Sequence, residues 1–141
     1  MLIVLDTNVV SELMKSAPSA AVLTWVGSRD KLELHTTSVT QAEILDGVLQ
    51  LPAGRRRRAV EGAAEAMFQE DFAGRILPFD SRAARPYADL VAERRRRGRP
   101  ISQFDAQIAA IARASDATLA TRNVKDFEHC GIRVLNPWVE R

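Results

Sequence analysis

Short apolar runs alternate along the chain with longer segments whose apolar residues recur at helical spacing. The short runs have the length and the apolar or β-branched content of buried strands, and they cover residues 2–5, 33–37, 75–78, 118–121 and 132–135. The longer segments place apolar side chains three or four positions apart, as amphipathic helices do, and they cover residues 9–15, 20–28, 39–51, 56–72, 81–97 and 101–114.

The alternation of strand and helix predicts the fold class. It favours an α/β sandwich in which a mainly parallel sheet of about five short strands carries helices on both faces. A chain of 141 residues can bury one core, and it contains no internal repeat or long linker, so we expect a single domain over residues 1–141. Binding sites in open parallel sheets form at the carboxyl ends of the strands.

Composition excludes several classes of protein. No apolar stretch reaches the length of about 18 residues that a membrane span needs. We expect no signal peptide, because Asp6 interrupts the first apolar run. The single cysteine, Cys130, excludes an internal disulfide framework and favours a reducing cytoplasm. Glycine-rich nucleotide loops and the serine hydrolase elbow are absent from the sequence.

The first predicted strand ends at a carboxylate. The chain begins MLIVLDTNVV, so Asp6 follows the apolar run directly and precedes Thr7 and Asn8. The first strand of a parallel sheet is usually central, which places Asp6 where ligands bind. The structural alternative is that Asp6 only belongs to the turn in which Thr7 or Asn8 caps the next helix.

Three further segments bring acids or amides to the same predicted edge. Glu43 lies early in the helix after the second strand, and Asp105 lies in the first turn of a later helix. Asp126 and Asn123 follow the fourth strand. If these acids lie close together, their mutual repulsion requires a cation. The sequence therefore favours a cation site at this edge.

Local helix chemistry offers an alternative for each acid. Glu43 can close a capping box with Thr40, whereas a cap at Ser38 leaves Glu43 free. Ser102 and Asp105 have the spacing of a capping box, and an acid in the first turn suits the helix dipole. These local roles do not explain why acids from separate segments converge.

The donor set indicates which cation the acids would bind. Carboxylate oxygens suit Mg²⁺ or Mn²⁺. Zinc is disfavoured, because His35, His129 and Cys130 stand outside any zinc-ligand spacing. A carboxylate-held Mg²⁺ most often serves phosphoryl chemistry, in which it neutralises a phosphate oxygen and activates water.

Four motifs in order resemble one family. They are LDTN at the end of the first strand, AEI in an early helix, FDAQIAAIA in a later helix, and LATRNVKDF before the last short strand. Together they resemble the PIN-domain nucleases and, within them, the VapC-type toxins of bacterial toxin–antitoxin pairs. The resemblance spans residues 2–137 and implies a PIN-like α/β/α sandwich.

The resemblance implies a metal-dependent endoribonuclease with an acidic quartet. It assigns Mg²⁺ or Mn²⁺ to Asp6, Glu43 and Asp105, which match the first three acids. Many relatives have an acid where this chain has Asn123, so Asp126 is the charged candidate for the fourth catalytic position. The resemblance also implies a supporting role for Thr7, Asn8, Thr121 and Asn123.

The same resemblance implies partners. It predicts an RNA substrate, a homodimer, and an antitoxin whose disordered tail folds onto apolar grooves, with residues 9–15 and 56–72 as candidate walls. A larger toxin–antitoxin complex would follow, in which DNA is reached only through the antitoxin. We expect a cytoplasmic protein without membrane association.

Arginine is clustered in two runs. Residues 94–97 end a predicted helix, where cations suit the dipole, so we expect a solvated helix end. The other run opens a helix, where cations oppose the dipole. That run is a candidate contact for RNA phosphates or a partner, and it consists of Arg55, Arg56, Arg57 and Arg58.

Two other functions remain open at this stage. A phosphatase of the haloacid-dehalogenase kind also places an Asp after strand one and could use Thr40 and Lys125, but Asn8 stands where its second acid belongs. A non-catalytic module could instead bind nucleic acid or a partner through arginine. That second alternative predicts that the acids do not converge.

Overall fold

A five-stranded sheet forms the centre of the structure, a computed structural model that describes residues 1–139. Its strand order is β3-β2-β1-β4-β5, and every strand pair is parallel within the described residues. The strands are β1 (Ile3–Leu5), β2 (Leu34–Thr37), β3 (Ile76–Leu77), β4 (Thr118–Ala120) and β5 (Arg133–Leu135). The predicted parallel α/β sheet is confirmed, and β1 lies in its middle.

Within residues 1–139, six α-helices cover the two faces of the sheet. They are α1 (Thr7–Leu13), α2 (Ala20–Gly27), α3 (Ser38–Leu49), α4 (Arg55–Ala66), α5 (Ser81–Arg96) and α6 (Gln103–Ala114). Short 3-10 turns span Lys31–Glu33 and Val124–Phe127. In the part of the chain that the structure describes, no helix combines the length and the apolar character needed to cross a bilayer.

The core has two halves, because successive side chains of a strand point to opposite faces. Ile3 and Leu5 pack with the apolar sides of α1 to α4, whereas Val4 packs with α5 and α6. All three side chains of β1 are fully buried or nearly so. Burying such side chains contributes roughly 1.5–3 kcal/mol each, and this fixes the strand that carries Asp6.

Caps decide where the helices begin, and two of the predicted caps are wrong. Asp6 itself caps α1 by accepting a hydrogen bond from Thr7 N, so α1 begins two residues earlier than predicted and neither Thr7 nor Asn8 is the cap. Thr37 caps α3 by accepting from Thr40 N, which excludes both predicted boxes. The predicted bond from Asp105 N to Ser102 is present at α6.

The segment predicted as one helix over residues 56–72 changes geometry partway. Helix α4 ends at Ala66, and a wider π turn over Met67–Asp71 follows. Phe68 and Phe72 are buried in the first half of the core. A π turn closes its hydrogen bond over one residue more than an α turn. The residues after Ala66 therefore face a different direction from the one that a continuous α-helix would give them.

Arg94 corrects the expectation of a solvated helix end. Its side chain is only 5% exposed, and its guanidinium donates to the carbonyl oxygens of Arg99, Asp126 and Glu128. The neighbouring Arg96 and Arg97 do lie at the surface, where both pair with Glu93. The arginines of this run therefore have different environments, because Arg94 faces the segment after β4 whereas Arg96 and Arg97 face solvent.

Candidate acidic site at the sheet edge

Asp6 occupies the carboxyl end of the central strand. Asp6 is only 5% exposed, and its carboxylate accepts hydrogen bonds from three groups. Thr121 Oγ1 lies 2.7 Å and Asn8 Nδ2 3.3 Å from Oδ2, and Thr7 N lies 2.8 Å from Oδ1. The donors fix the orientation of this carboxylate, and all three belong to predicted supporting residues.

The end of β4 is tied to the same carboxylate. Asn8 donates through Nδ2 to Thr121 Oγ1 at 3.1 Å and accepts through Oδ1 from Arg122 N at 3.1 Å. Asn123 N also donates to Thr121 Oγ1, at 3.1 Å. One asparagine and one threonine therefore couple the ends of two adjacent strands to the position of Asp6.

Glu43 reaches the site from the second turn of α3. Its Oε1 accepts from Thr7 Oγ1 at 2.8 Å, and Thr7 Oγ1 lies 2.9 Å from Thr40 Oγ1. The single hydroxyl proton of Thr7 goes to Glu43, so Thr40 is the donor in the second bond. Thr40 thus orients the site through Thr7, a role that the sequence analysis missed by treating Thr40 as a capping residue.

The first three predicted acids interact electrostatically at this edge. Burial is the main reason why the pKa of Asp6 is raised to about 6; bonds from Thr121 and Thr7 oppose the shift, and the negative charges of Asp105 and Glu43 add to it. The charges of Asp105 and Glu43 therefore both act on Asp6, and Thr7 bonds Asp6 through its amide and Glu43 through its hydroxyl. These contacts favour an acidic site over the non-catalytic arginine module.

Asp105 is half-buried in the first turn of α6. Burial raises its pKa, the Ser102 hydrogen bond lowers it, the charge of Asp126 raises it, and the charge of Arg94 lowers it. The charge of Asp105 thus acts on Asp6, and the charge of Asp126 acts on Asp105. Asp126 itself is exposed in the 3-10 turn Val124–Phe127, which Asn123 precedes.

The residues present fit a divalent cation by donor type and by charge. All the side chains concerned are carboxylates, and hard oxygen donors suit Mg²⁺ and Mn²⁺. Like charges that raise the pKa of Asp6 would be relieved by a cation. Within residues 1–139, however, no three His, Cys, Asp or Glu side chains are gathered closely enough to form a ready ligand set.

The arginine run of α4 is not part of this edge. Arg55, Arg56 and Arg58 are exposed and Arg57 is partly exposed, and Gly54 caps the helix without a side-chain bond. None of the four contributes to the pKa shifts of Asp6 or Asp105. The structure thus places the run at the predicted helix start, and its contact with RNA or a partner stays a prediction.

Comparison with known proteins gives consistent matches over nearly the whole chain. The PIN domain family matches residues 3–131. The VapC ribonuclease Y4jK of Sinorhizobium fredii is 42% identical over 137 residues, which are 97% of this chain and 98% of that protein. The toxin FitB of Neisseria gonorrhoeae is 35% identical over 137 residues, which are 97% of this chain and 99% of that protein.

Solved structures agree with these matches. A chain in the structure of FitAB bound to an IR36 DNA fragment has a TM-score of 0.92 and 34% identity, with 99% of this chain and 98% of that chain covered. A chain of VapBC2 from Rickettsia felis, bound to a DNA fragment from its promoter, has a TM-score of 0.81 at 22% identity, with 96% and 98% covered. The second similarity concerns the fold alone.

Proposed function

The chain belongs to the PIN domain family, among the VapC-type toxins, and on this basis we propose that it is a metal-dependent endoribonuclease. It cleaves RNA phosphodiester bonds and is the toxin of a toxin–antitoxin pair. The observation that carries the proposal is that the buried Asp6 at the carboxyl edge of the sheet is bonded to Thr7, which also bonds Glu43, and carries the effect of the charges of Glu43 and Asp105. Three acids from three segments have no shared structural task there.

The site residues divide the work between charge and orientation. Asp6, Glu43 and Asp105 would hold Mg²⁺ or Mn²⁺, and the ion would supply charge neutralisation of a phosphate oxygen and a lowered pKa of an attacking water. Asp6 is held in place by hydrogen bonds from Thr121, Asn8 and the Thr7 amide. The Thr7 hydroxyl orients Glu43 by donating a hydrogen bond to its carboxylate. Because these donors are fixed before substrate arrives, less reorganisation is needed during reaction.

The fourth position of the acidic quartet is assigned to Asp126. The effect of its charge on Asp105 supports this assignment. Asn123 is the alternative, since its backbone is bonded to Thr121 and it begins the same turn. An amide at that position could orient water but would add no negative charge.

The proposed partners are an antitoxin and a second copy of the chain. A groove between α1, α3 and α4 begins at Thr7 and Glu43 and is otherwise mainly apolar, with Met14, Ile44 and Val60 among its lining residues. An antitoxin tail that folds on binding suits such a groove. The FitAB structure contains DNA; for this chain we propose that DNA is reached only through the antitoxin, in a cytoplasmic complex.

The phosphatase alternative has little support. The family match covers residues 3–131, and the second acid that a haloacid-dehalogenase phosphatase needs is replaced by Asn8, which here bonds the end of β4. Within the described residues, Lys125 forms no hydrogen bond with Asp6, and the Thr40 hydroxyl is hydrogen-bonded to the Thr7 hydroxyl. Endonucleolytic cleavage of RNA remains the function that the site supports best.

Cleavage of RNA by the purified protein tests the proposal. The wild type should cut single-stranded or looped RNA with Mg²⁺ or Mn²⁺ and lose activity in EDTA. Asp6→Ala, Glu43→Ala and Asp105→Ala should each reduce cleavage by at least about 100-fold, because each removes a proposed cation ligand. Asp46→Asn is the matched control, since Asp46 is exposed on α3 and its carboxylate accepts a hydrogen bond from Gln50. Metal-independent cleavage that survives Asp6→Ala would refute it.

The fourth position is tested by a pair of substitutions. Asp126→Asn and Asn123→Ala should be compared under the same conditions. We expect Asp126→Asn to lower cleavage more, because it removes charge from the group that includes Asp105. A larger loss with Asn123→Ala would assign the position to the amide.

A further inference from the structure

A shallow hollow adjoins the acidic site where β4 and β5 end. Five of its lining residues follow β4, and one follows β5; they are Arg122, Asn123, Val124, Lys125, Asp126 and Asn136. Two cations, two amides and one proposed catalytic acid, Asp126, thus line a shared surface. The hollow is separate from the arginine run that opens α4, and no residue of that run lines it.

Arg122 is held in this hollow at both its backbone and its side chain. Its N–H donates to Asn8 Oδ1, the same asparagine whose amide lies 3.3 Å from Asp6 Oδ2. Its guanidinium carbon lies 5.0 Å from the centre of the Trp138 ring. The backbone bond therefore links the position of Arg122 to that of the proposed catalytic acid.

The Trp138 ring is a fixed platform for the guanidinium. Its side chain packs against the first half of the core, and its backbone N–H donates to Asn136 Oδ1 at 2.9 Å. A cation over the face of an indole is attracted by the ring quadrupole. Stacking leaves the edge of a planar guanidinium free to donate hydrogen bonds to an anion.

The charges around Arg122 leave it able to bind an external anion. The pKa of Glu12 is lowered mainly by the hydrogen bond from Lys15 and next by the bond from the Ser19 amide. The charge of Arg122 makes a smaller contribution to that pKa. Glu12 is already bonded to both of those groups. Among residues 1–139, Arg122 forms no ion pair with a carboxylate.

We propose that Arg122, stacked on Trp138, binds a phosphate of the RNA strand next to the phosphodiester at the acidic site. This inference rests on the proposed function and adds a phosphate subsite to it. Asp6, Glu43 and Asp105 repel a polyanion, so a fixed cation on the same edge offsets that repulsion for the neighbouring phosphate. Lys125 lines the same hollow and adds positive charge to it.

The geometry also makes the contact selective for a phosphate group. A guanidinium presents parallel N–H donors that match two phosphate oxygens, and charge-assisted bonds of this kind are among the stronger ones in proteins. Stacking on Trp138 orders the side chain before binding, which reduces the entropy that is lost when RNA arrives. Trp138 is a positioning residue in this proposal, and Arg122 is the group that contacts RNA.

Salt-dependent RNA binding tests the proposal. A labelled single-stranded oligoribonucleotide is titrated with protein in EDTA over a range of salt concentrations, with fluorescence anisotropy as the readout. Arg122→Gln should weaken binding about tenfold and make the slope of log affinity against log salt shallower by about 0.7, because one phosphate contact is lost. Arg133→Gln is the matched control, since Arg133 is exposed at the opposite, amino-terminal end of β5.

Trp138 variants separate positioning from folding. Trp138→Phe keeps an aromatic face and should retain most of the affinity, whereas Trp138→Leu should weaken binding while leaving the slope between those of wild type and Arg122→Gln. Thermal unfolding of each variant identifies any loss of fold. In cleavage with Mg²⁺, Arg122→Gln should raise KM more than it lowers kcat.

The outcomes distinguish the two proposals. An Arg122→Gln protein with wild-type affinity and salt slope overturns the phosphate subsite, as does a wild type that binds no RNA. A wild type that binds RNA through Arg122 but fails to cleave it with Mg²⁺ supports the subsite and refutes the nuclease function. If Arg133→Gln lowers the RNA affinity and the salt slope as much as Arg122→Gln does, the subsite is also overturned, because the effect would then come from net positive charge rather than from the position of Arg122.

Discussion

Single residues at the sheet edge combine structural and proposed catalytic roles. Asp6 caps α1 and is also the buried acid at the centre of the site. Asp6 was predictable from its place after an apolar strand. Glu43 and Asp105 were predictable from their places in early helical turns. The supporting residues Thr7, Asn8 and Thr121 were predicted only through the family resemblance, because their bonds depend on side chains brought together by the fold, over more than 100 positions for Thr121 and Asp6.

The raised pKa of Asp6 predicts that its charge destabilises the metal-free protein. The pKa is 3.8 for the free group and about 6 in the fold. The folded state therefore binds more protons between these values, and the free energy of unfolding falls as pH rises through about 6, by about 3 kcal/mol in all. Asp6→Asn removes the charge and should raise the free energy of unfolding by about 1–3 kcal/mol at neutral pH in EDTA.

Urea unfolding across this pH range measures the effect. The gain from Asp6→Asn should shrink as pH falls from about 6 towards about 4, where the wild-type carboxyl becomes protonated. Asp46→Asn, at an exposed position, should show no such pH-dependent gain. A loss of stability in Asp6→Asn at neutral pH would contradict the prediction.

At the scale of elements, periodicity located the helices and strands, while boundaries depended on competition between similar residues. Thr37, Ser38 and Thr40 all offer a hydroxyl near the start of α3, and the extended backbone of Thr37 decides that it is the cap. Arg94 and its neighbours are identical in sequence, yet only Arg94 is buried. Such choices need the neighbouring elements, which a local pattern does not contain.

Arg94 should stabilise the segment that follows β4. Its guanidinium bonds three carbonyls there and at the end of α5. Arg94→Met leaves those carbonyls without their donor, and we expect the free energy of unfolding to fall by about 2–4 kcal/mol. Arg95→Met, at the next and exposed position, should change it by less than about 0.5 kcal/mol. Chemical denaturation compares the two, and equal losses would contradict the role of Arg94.

The arginine run of α4 makes a separate prediction. Replacing Arg55, Arg56, Arg57 and Arg58 by Gln should weaken RNA binding and flatten its dependence on log salt concentration, because fewer counterions are released. The salt titration that tests Arg122 measures this as well. A salt slope equal to that of the wild type would exclude phosphate contact and leave the run to a partner or to solvent.

At the scale of the molecule, topology explains the site better than any single motif. Parallel pairing with β1 in the centre brings the carboxyl ends of β1, β2 and β4 to one edge, and the predicted PIN-like sandwich is confirmed. Whether residues 1–141 fold as one independent domain stays a prediction, as does the identity of the fourth acid. Within residues 1–139, no three acids form a ready ligand set, and the sequence pattern does not predict this because it fixes strand ends but not side-chain rotamers.

The proposed assembly predicts a measurable mass. Light scattering after size-exclusion chromatography should give about twice the chain mass of 15.6 kDa for the protein alone. Expression alone should arrest growth, and co-expression with an antitoxin encoded beside it should relieve the arrest by covering the groove at α1, α3 and α4. A monomer that neither arrests growth nor retains the adjacent gene product would contradict the toxin assignment.

Calorimetric titration with Mn²⁺ tests the central claim that acids from separate segments bind a divalent cation together. We predict saturable binding to the wild type near neutral pH, above the raised pKa of Asp6, and unchanged binding to Asp46→Asn. Asp6→Asn and Asp105→Asn should each weaken binding by at least about tenfold, because each removes a charged oxygen ligand. Wild-type Mn²⁺ affinity in both Asp6→Asn and Asp105→Asn, with the fold intact, would contradict the account.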